Sequence, residues 1–61
     1  MKYRYALYFE FSNGGTDSYN VVDAVERDLC IEEAKKQKQI VSILWCRIYA
    51  SGEYGSRIRV K

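Results

Sequence analysis

The 61-residue sequence contains no histidine, no proline and only two cysteines, Cys30 and Cys46. Two cysteines alone cannot complete a four-ligand zinc site, and without histidine a cysteine nucleophile lacks its usual activating base. No apolar run approaches the ~20 residues of a membrane-spanning helix. Glu10 also interrupts the apolar stretch that follows Lys2 and Arg4 before a signal-peptide core can form. We therefore expect a cytoplasmic, non-enzymatic protein with no metal or other cofactor, no membrane partner and no small-molecule substrate.

In the cytoplasm the two cysteines are expected to be reduced thiols. A disulfide between Cys30 and Cys46 is the less favoured alternative. The missing proline removes both a cis-proline device and a proline-guarded sheet edge.

The length predicts a single domain over residues 1–61. A chain of this size buries only about 60% of the surface that its unfolded form exposes. Its hydrophobic fraction of 48% and aromatic fraction of 15% are sufficient for a core. Because small domains often depend on a disulfide, a metal or a partner chain, self-association or an efficient core is expected.

Four segments carry strand patterns, at residues 2–12, 17–22, 39–50 and 56–61. Asn13-Gly14-Gly15-Thr16 predicts a hairpin turn after the first strand, and residues 51–55 predict another reversal. The 17–22 segment, rich in Asp and Asn, is expected at a sheet edge. The order ββαββ predicts an α+β fold of two layers, with a four-stranded, mainly antiparallel sheet and one helix on one face.

A helix is predicted from Ala24 to about Gln37, because Asp23 and Glu26 have the spacing of a capping box. Its apolar residues do not share one stripe. They form two groups: Val22, Val25 and Leu29; and Ala24, Cys30, Ile31 and Ala34. Two expectations follow. Either the helix is buried over a wide arc, or its first turn is distorted and the regular part starts near Asp28.

The third strand is apolar in both of its alternating sets, so both of its faces need cover or a function. We expect the helix to cover one set: Ile40, Leu44, Cys46 and Ile48. The other set contains Arg47 and is expected on the open face: Val41, Ile43, Trp45, Arg47 and Tyr49.

Charge supports an interaction role for that open face. Residues 1–12 and 39–61 carry six basic and two acidic side chains, whereas residues 13–38 carry four basic and six acidic ones. The predicted contact residues are basic or aromatic: Arg4, Tyr8, Trp45, Arg47, Tyr49, Tyr54, Arg57 and Arg59. We expect this face, or an edge strand, to bind a protein partner or a second copy, since Trp, Tyr and Arg are typical interface anchors. Single-stranded nucleic acid, with bases stacked on the rings, is the alternative.

Two resemblances differ in how much of the chain they cover. Residues 1–10, followed by Gly14-Gly15, resemble the first strand and turn of HicB-type antitoxins, but that family's second strand, with its proline-rich end, is missing, so its function is not carried over. The whole chain looks like small, uncharacterised proteins encoded on mobile elements of Gram-positive bacteria, through the turn Asn-Gly-Gly-Thr-Asp-Ser and the hairpin Ile-Tyr-Ala-Ser-Gly-Glu-Tyr-Gly. That resemblance implies an accessory role, such as binding a host or element-encoded protein.

Overall fold

In the computed structural model, which describes residues 2–61, the chain forms four strands and one helix. They are β1 (Tyr5–Phe11), β2 (Thr16–Val21), α1 (Ala24–Lys35), β3 (Ile40–Arg47) and β4 (Ile58–Arg59). The strands form one antiparallel sheet in the order β2-β1-β3-β4, with α1 packed against one face. The predicted α+β class, the ββαββ order and the edge position of β2 are confirmed.

Both predicted reversals form around glycines with positive φ. Gly14 has φ of 90° and Gly52 has φ of 91°. Residues that carry a Cβ atom rarely adopt such values. The first turn is closed by the Phe11 N–H, which donates to the Gly15 carbonyl at 2.8 Å. In the second, the Tyr49 N–H donates to the Glu53 carbonyl at 2.8 Å. These hairpins place β2 beside β1 and β4 beside β3.

The helix begins at Ala24, as predicted, and ends at Lys35. Asp23 is its N-cap residue, and its Oδ1 accepts a hydrogen bond from the Glu26 N–H at 2.8 Å. The Glu26 carboxylate accepts in return from the Val22 N–H at 3.4 Å. The predicted capping box is therefore present.

The exposed apolar residues of α1 contradict both expectations for its apolar groups. Ile31 and Ala34 are buried against the sheet, whereas Val25 and Leu29 are 69% and 64% exposed. The helix is regular from its first residue, so neither a wide buried arc nor a distorted first turn accounts for the pattern. Val25 and Leu29 lie one turn apart and form an apolar surface stripe instead.

A β-bulge in β3 overturns the predicted assignment of its two faces. Ser42 pairs with Glu10 but Ile40 pairs with Phe11, so Val41 is an extra residue between them. Ile40 and Ile43 both face the helix and are buried. After the bulge, Ile43 and Trp45 lie on the helix side, paired with Phe9 and Leu7 of β1. Strand alternation places Arg47 on this side as well.

Leu44 and Cys46 consequently lie on the helix-free face, opposite Tyr8 and Ala6. Ile48 follows the same alternation. The sequence prediction was right for Ile40 and wrong for Ile43, Leu44, Trp45 and the residues that follow.

The two cysteines lie on opposite sides of the sheet. Cys46 is buried on the helix-free face, and Cys30 packs against the core from α1. Both are free thiols in this structure. Within residues 2–61 there is no helix whose length and apolar character would let it cross a membrane.

Candidate interaction surfaces

The helix-free side of the sheet forms a basic face around a half-buried apolar centre. We define this basic face by Tyr8, Glu10, Ser42, Leu44, Arg57 and Arg59. Cross-strand pairing brings the set together: Tyr8 is opposite Leu44, Glu10 is opposite Ser42, and Leu44 is opposite Arg59. These residues line a depression of about 640 Å³, with Thr16, Asp17 and Ser18 of β2 at its far wall.

Two long side chains cover part of this face, Arg57 just before β4 and Arg59 within it. The Arg57 guanidinium lies over the Tyr8 ring, with Cζ 4.0 Å from the ring centroid. Arg59 Nη2 donates to Ser42 Oγ at 3.1 Å, and Arg59 Nε donates to the Lys61 carbonyl at 3.2 Å. The arginines thus supply the cover that the second face of β3 needs, without a second layer of secondary structure.

Tyr8 occupies the centre of the basic face. Its hydroxyl is 3.7 Å from Cys46 Sγ, within hydrogen-bonding distance for sulfur. Burial raises the pKa of Tyr8 above its ordinary value of 10.0, and the Cys46 contact adds to the increase. The neighbouring Arg57 guanidinium partly offsets this change in pKa. Tyr8 is uncharged at physiological pH, as an ordinary tyrosine is, so the charged groups of the basic face are Arg57, Arg59 and Glu10.

On the opposite side, an aromatic clamp joins the helix to the sheet. It consists of Tyr5, Arg27 and Trp45. The Arg27 Cζ lies 4.4 Å from the Trp45 centroid and 4.7 Å from the Tyr5 centroid. The two rings meet edge to face at 5.7 Å. The indole is therefore half-buried in a structural contact, rather than displayed on the basic face.

The predicted contact residues are accordingly separated. Tyr8, Arg57 and Arg59 meet on the basic face, but Trp45 lies on the helix side. Arg47 and Tyr49 line a helix-side cavity next to the aromatic clamp, with the Arg47 Cζ 6.0 Å from the Tyr49 centroid. The single surface of interleaved arginines and rings that the sequence predicted is not formed.

The remaining two predicted contact residues lie at one end of the sheet. Arg4 precedes β1, and its carbonyl accepts from the Ile48 N–H at 2.8 Å. Tyr54 is 54% exposed on the second hairpin, where it bridges to Ile48. Tyr54 is thus on an exposed turn, as predicted.

Sequence reasoning missed an apolar groove between α1 and the β1–β2 hairpin. The groove has a volume of about 380 Å³ and is lined mainly by apolar or aromatic residues: Phe9, Phe11, Tyr19, Leu29, Cys30, Ala34 and Ile40, with Glu33 and Gln37 at its margin. Tyr19 is 51% exposed, and its ring packs against Phe9 at 5.7 Å. The signal in the sequence was the Val25–Leu29 group that did not fit the buried stripe.

Tyr19 is held by its neighbour on β2. Its hydroxyl donates to Asp17 Oδ2 at 2.7 Å. This hydrogen bond and the negative charge of Asp17 raise the pKa of Tyr19 above 10.0.

In the described residues, the Cys, Asp and Glu side chains form no cluster of three or more that would hold a metal ion.

Comparison with protein-family models, with curated proteins and with solved structures finds no match to this chain. The resemblance to proteins of mobile elements therefore stays a prediction. Function has to be inferred from the surfaces themselves, namely the basic face, the apolar groove and the edges of the sheet.

Proposed function

We propose that this chain is a non-enzymatic interaction protein that forms a homodimer by pairing β2 with β2 of a second copy. The observation that carries the proposal is the free outer edge of β2. This strand has six residues, Thr16–Val21, and lies at the end of the sheet. Its register with β1 is continuous over all six pairs.

The edge of β2 lacks the features that natural sheets use against edge-to-edge pairing, which include proline, lysine, bulges and short length. Its sequence Thr-Asp-Ser-Tyr-Asn-Val carries one charge, on Asp17. The opposite edge of the sheet, β4, has only two residues and is flanked by Arg57. Of the two sheet edges in residues 2–61, only that of β2 lacks a feature that protects it from pairing with another strand.

The backbone groups that β2 offers can be assigned from its ladder. The Phe11 N–H donates to the Gly15 carbonyl, and the Val21 carbonyl accepts from Arg4. Odd-numbered residues of β2 therefore bond to β1. Because bonded and non-bonded pairs alternate in antiparallel ladders, the N–H and C=O groups of Thr16, Ser18 and Asn20 point outward.

A two-fold axis at Ser18 satisfies these outward groups. In that register Ser18 faces Ser18 of the second copy and Thr16 faces Asn20, so all three outward residues find backbone partners. Asp17 then faces Tyr19, a pair that already hydrogen-bonds within one strand. Directly opposed like charges would disfavour the pairing, and this register contains none.

The proposed dimer has one local cost and one apolar contribution. The Ser18 N–H donates to Asp17 Oδ1 at 3.0 Å and must exchange that contact for the second copy's carbonyl. The exposed Tyr19 and Leu29 lie on the helix side beside the pairing edge, and Tyr19 would be covered in part. An interface this small is of the weak class, so we expect a dissociation constant in the micromolar range or above.

The assembly would stop at two copies, because pairing uses the one edge of each chain that is available for pairing. Both helices would lie on one side of the joined sheet and both basic faces on the other. A reducing compartment such as the cytoplasm suits the two free thiols of each chain.

Sedimentation equilibrium tests the proposal with a matched pair of variants. Ser18→Lys places two ammonium groups opposite each other at the two-fold axis, so we expect dimerisation to weaken about fivefold. Ser56→Lys makes the same change on an exposed residue away from β2 and should leave the dimer unchanged. A wild-type chain that stays monomeric at millimolar concentration, or equal effects of the two variants, contradicts the proposal.

A further inference from the structure

We infer that the basic face binds an acidic, extended segment of a partner protein, with carboxylates on Arg57 and Arg59 and an apolar side chain on Leu44. This inference does not rest on the dimer, since β2 pairing leaves both basic faces open. It concerns the surface on the β4 side of the sheet, whereas the dimer concerns the β2 edge.

The first argument is that the two guanidinium groups are held in place but not neutralised. Arg57 is positioned by the Tyr8 ring and Arg59 by Ser42 Oγ. Within residues 2–61 neither forms a salt bridge with a carboxylate; the ion pairs there are Arg27–Asp28 and Lys36–Glu33. An arginine that is already oriented loses less side-chain freedom when it binds a carboxylate, and its planar fork matches that group.

The second argument is the spacing of these groups. Arg57 and Arg59 are alternate residues of one extended segment, so their Cα atoms are separated by about 6.6–6.8 Å. Alternate residues of an extended partner have the same separation. The matching segment therefore carries acidic residues at positions i and i+2.

The third argument is the floor and the far wall of the depression. Leu44 is half-buried at its centre and offers apolar surface between the arginines and β1. Two acidic residues, Glu10 and Asp17, line the opposite side together with Thr16 and Ser18. Their carboxylates disfavour partner acids there, which places those acids over Arg57 and Arg59 and directs an apolar side chain of the partner to Leu44.

The same geometry argues against single-stranded nucleic acid. Base stacking needs free ring faces, and Arg57 already covers a face of Tyr8 at 4.0 Å. Trp45 lies across the sheet in the aromatic clamp. The basic face therefore offers charge and a small apolar floor, but no row of open rings.

Fluorescence anisotropy with the labelled peptide Glu-Ser-Glu-Ser-Leu-Ser, whose acids and leucine lie on one face of an extended chain, tests this inference. We expect saturable binding that weakens with added salt. The double variant Arg57→Gln/Arg59→Gln should bind at least about tenfold more weakly. Arg47→Gln removes the same charge on the helix side and should change the affinity less than about twofold.

Two further measurements distinguish a loss of peptide binding from a loss of folding in the variants. Glu10→Gln removes one repelling carboxylate and should tighten binding about twofold, an effect that a damaged fold would not produce. Circular dichroism of each variant should match that of the wild type. Absence of binding at low salt, or equal losses from the Arg47 and Arg57/Arg59 variants, would overturn the inference. Tighter binding of labelled oligothymidylate than of the peptide would assign the face to nucleic acid and overturn it as well.

Discussion

Replacement of Arg27 by alanine should destabilise the protein by about 2 kcal/mol, because it empties the aromatic clamp. The guanidinium lies 4.4 Å from the Trp45 centroid and 4.7 Å from the Tyr5 centroid, and the side chain is only 18% exposed. A cation over an aromatic ring contributes about 0.5–1 kcal/mol at exposed sites and about 2 kcal/mol when desolvated. Two partly desolvated contacts of about 1 kcal/mol each give the expected value.

The Asp28 contact contributes little to that sum. Arg27 Nε is 3.0 Å from Asp28 Oδ1, but the Asp28 side chain is 64% exposed. Exposed ion pairs of this kind contribute about 0–1 kcal/mol and are screened by salt. Asp28→Ala should therefore change the free energy of unfolding by less than about 0.5 kcal/mol.

Urea denaturation, followed by circular dichroism and Trp45 fluorescence, measures the effect of Arg27→Ala. With a slope near 1 kcal/mol per molar urea, typical of the smallest domains, the midpoint should fall by about 2 M. Arg47→Ala is the matched control, because Arg47 is exposed and 6.0 Å from its ring; its effect should be below about 0.5 kcal/mol. Equal effects of the two substitutions, or a loss below about 0.5 kcal/mol for Arg27→Ala, would refute the aromatic clamp as a stabilising contact.

Three further predictions test the bulge, the β2 surface and the helix cap. Ile43→Val should cost about 0.5–1.5 kcal/mol in urea denaturation, whereas Val41→Ala, at the exposed bulge, should cost less than about 0.5 kcal/mol; similarly small effects of both substitutions would favour unbroken alternation in β3, with both residues on one exposed face. Asp17→Asn should lower the pKa of Tyr19 toward its ordinary value, so that more tyrosine ionises near pH 10 in titrations followed at 295 nm. The stabilisation linked to the raised pKa of Tyr19 is present below its unfolded pKa, near pH 10, and is lost as the pH rises through its higher folded pKa; unchanged tyrosine titration in the variant would contradict the Asp17 contact. Asp23→Ala should cost about 1 kcal/mol through the lost N-cap, and no change in thermal stability would show that the capping box is unimportant.

The fold could be predicted because its signals are local. Alternation in β1, glycines at the turns and the Asp23–Glu26 spacing each depend on a few neighbouring residues. Composition predicted the edge position of β2, but the order of the other strands was not predicted, because it depends on pairing between residues that are distant in the sequence. These features determine the two-layer architecture without reference to distant contacts.

The prediction of which residues lie on each face of β3 was wrong, because one bulge changes the alternation of the strand. A single extra residue at Val41 reverses the face of each residue that follows it in the strand, from Ser42 onward. Arg47 does not identify the helix-free face of β3. A charged residue at the end of a strand is exposed on whichever side of the sheet it lies. The position of a bulge depends on pairing between strands, and the sequence of β3 alone does not contain it.

The corrected faces changed the functional conclusion. With Trp45 on the basic face, stacking of nucleic-acid bases was a credible alternative. With Trp45 in the aromatic clamp, the basic face keeps Arg57 and Arg59 but loses its platform of rings. The edge of β2 then becomes the surface with the clearest unmet bonding capacity, which is why we propose it for pairing, and carboxylate binding remains our inference for the basic face.

Amide hydrogen exchange of β2, measured by NMR at low and high protein concentration, tests the proposed dimer most directly. Asp17 and Tyr19 bond to β1, so their amides should be protected at both concentrations. Ser18 and Asn20 point outward, and we predict that their exchange slows as the concentration rises through the dissociation constant. If Ser18 and Asn20 exchange equally fast at both concentrations, β2 does not pair with β2 of a second copy and the proposed function is wrong.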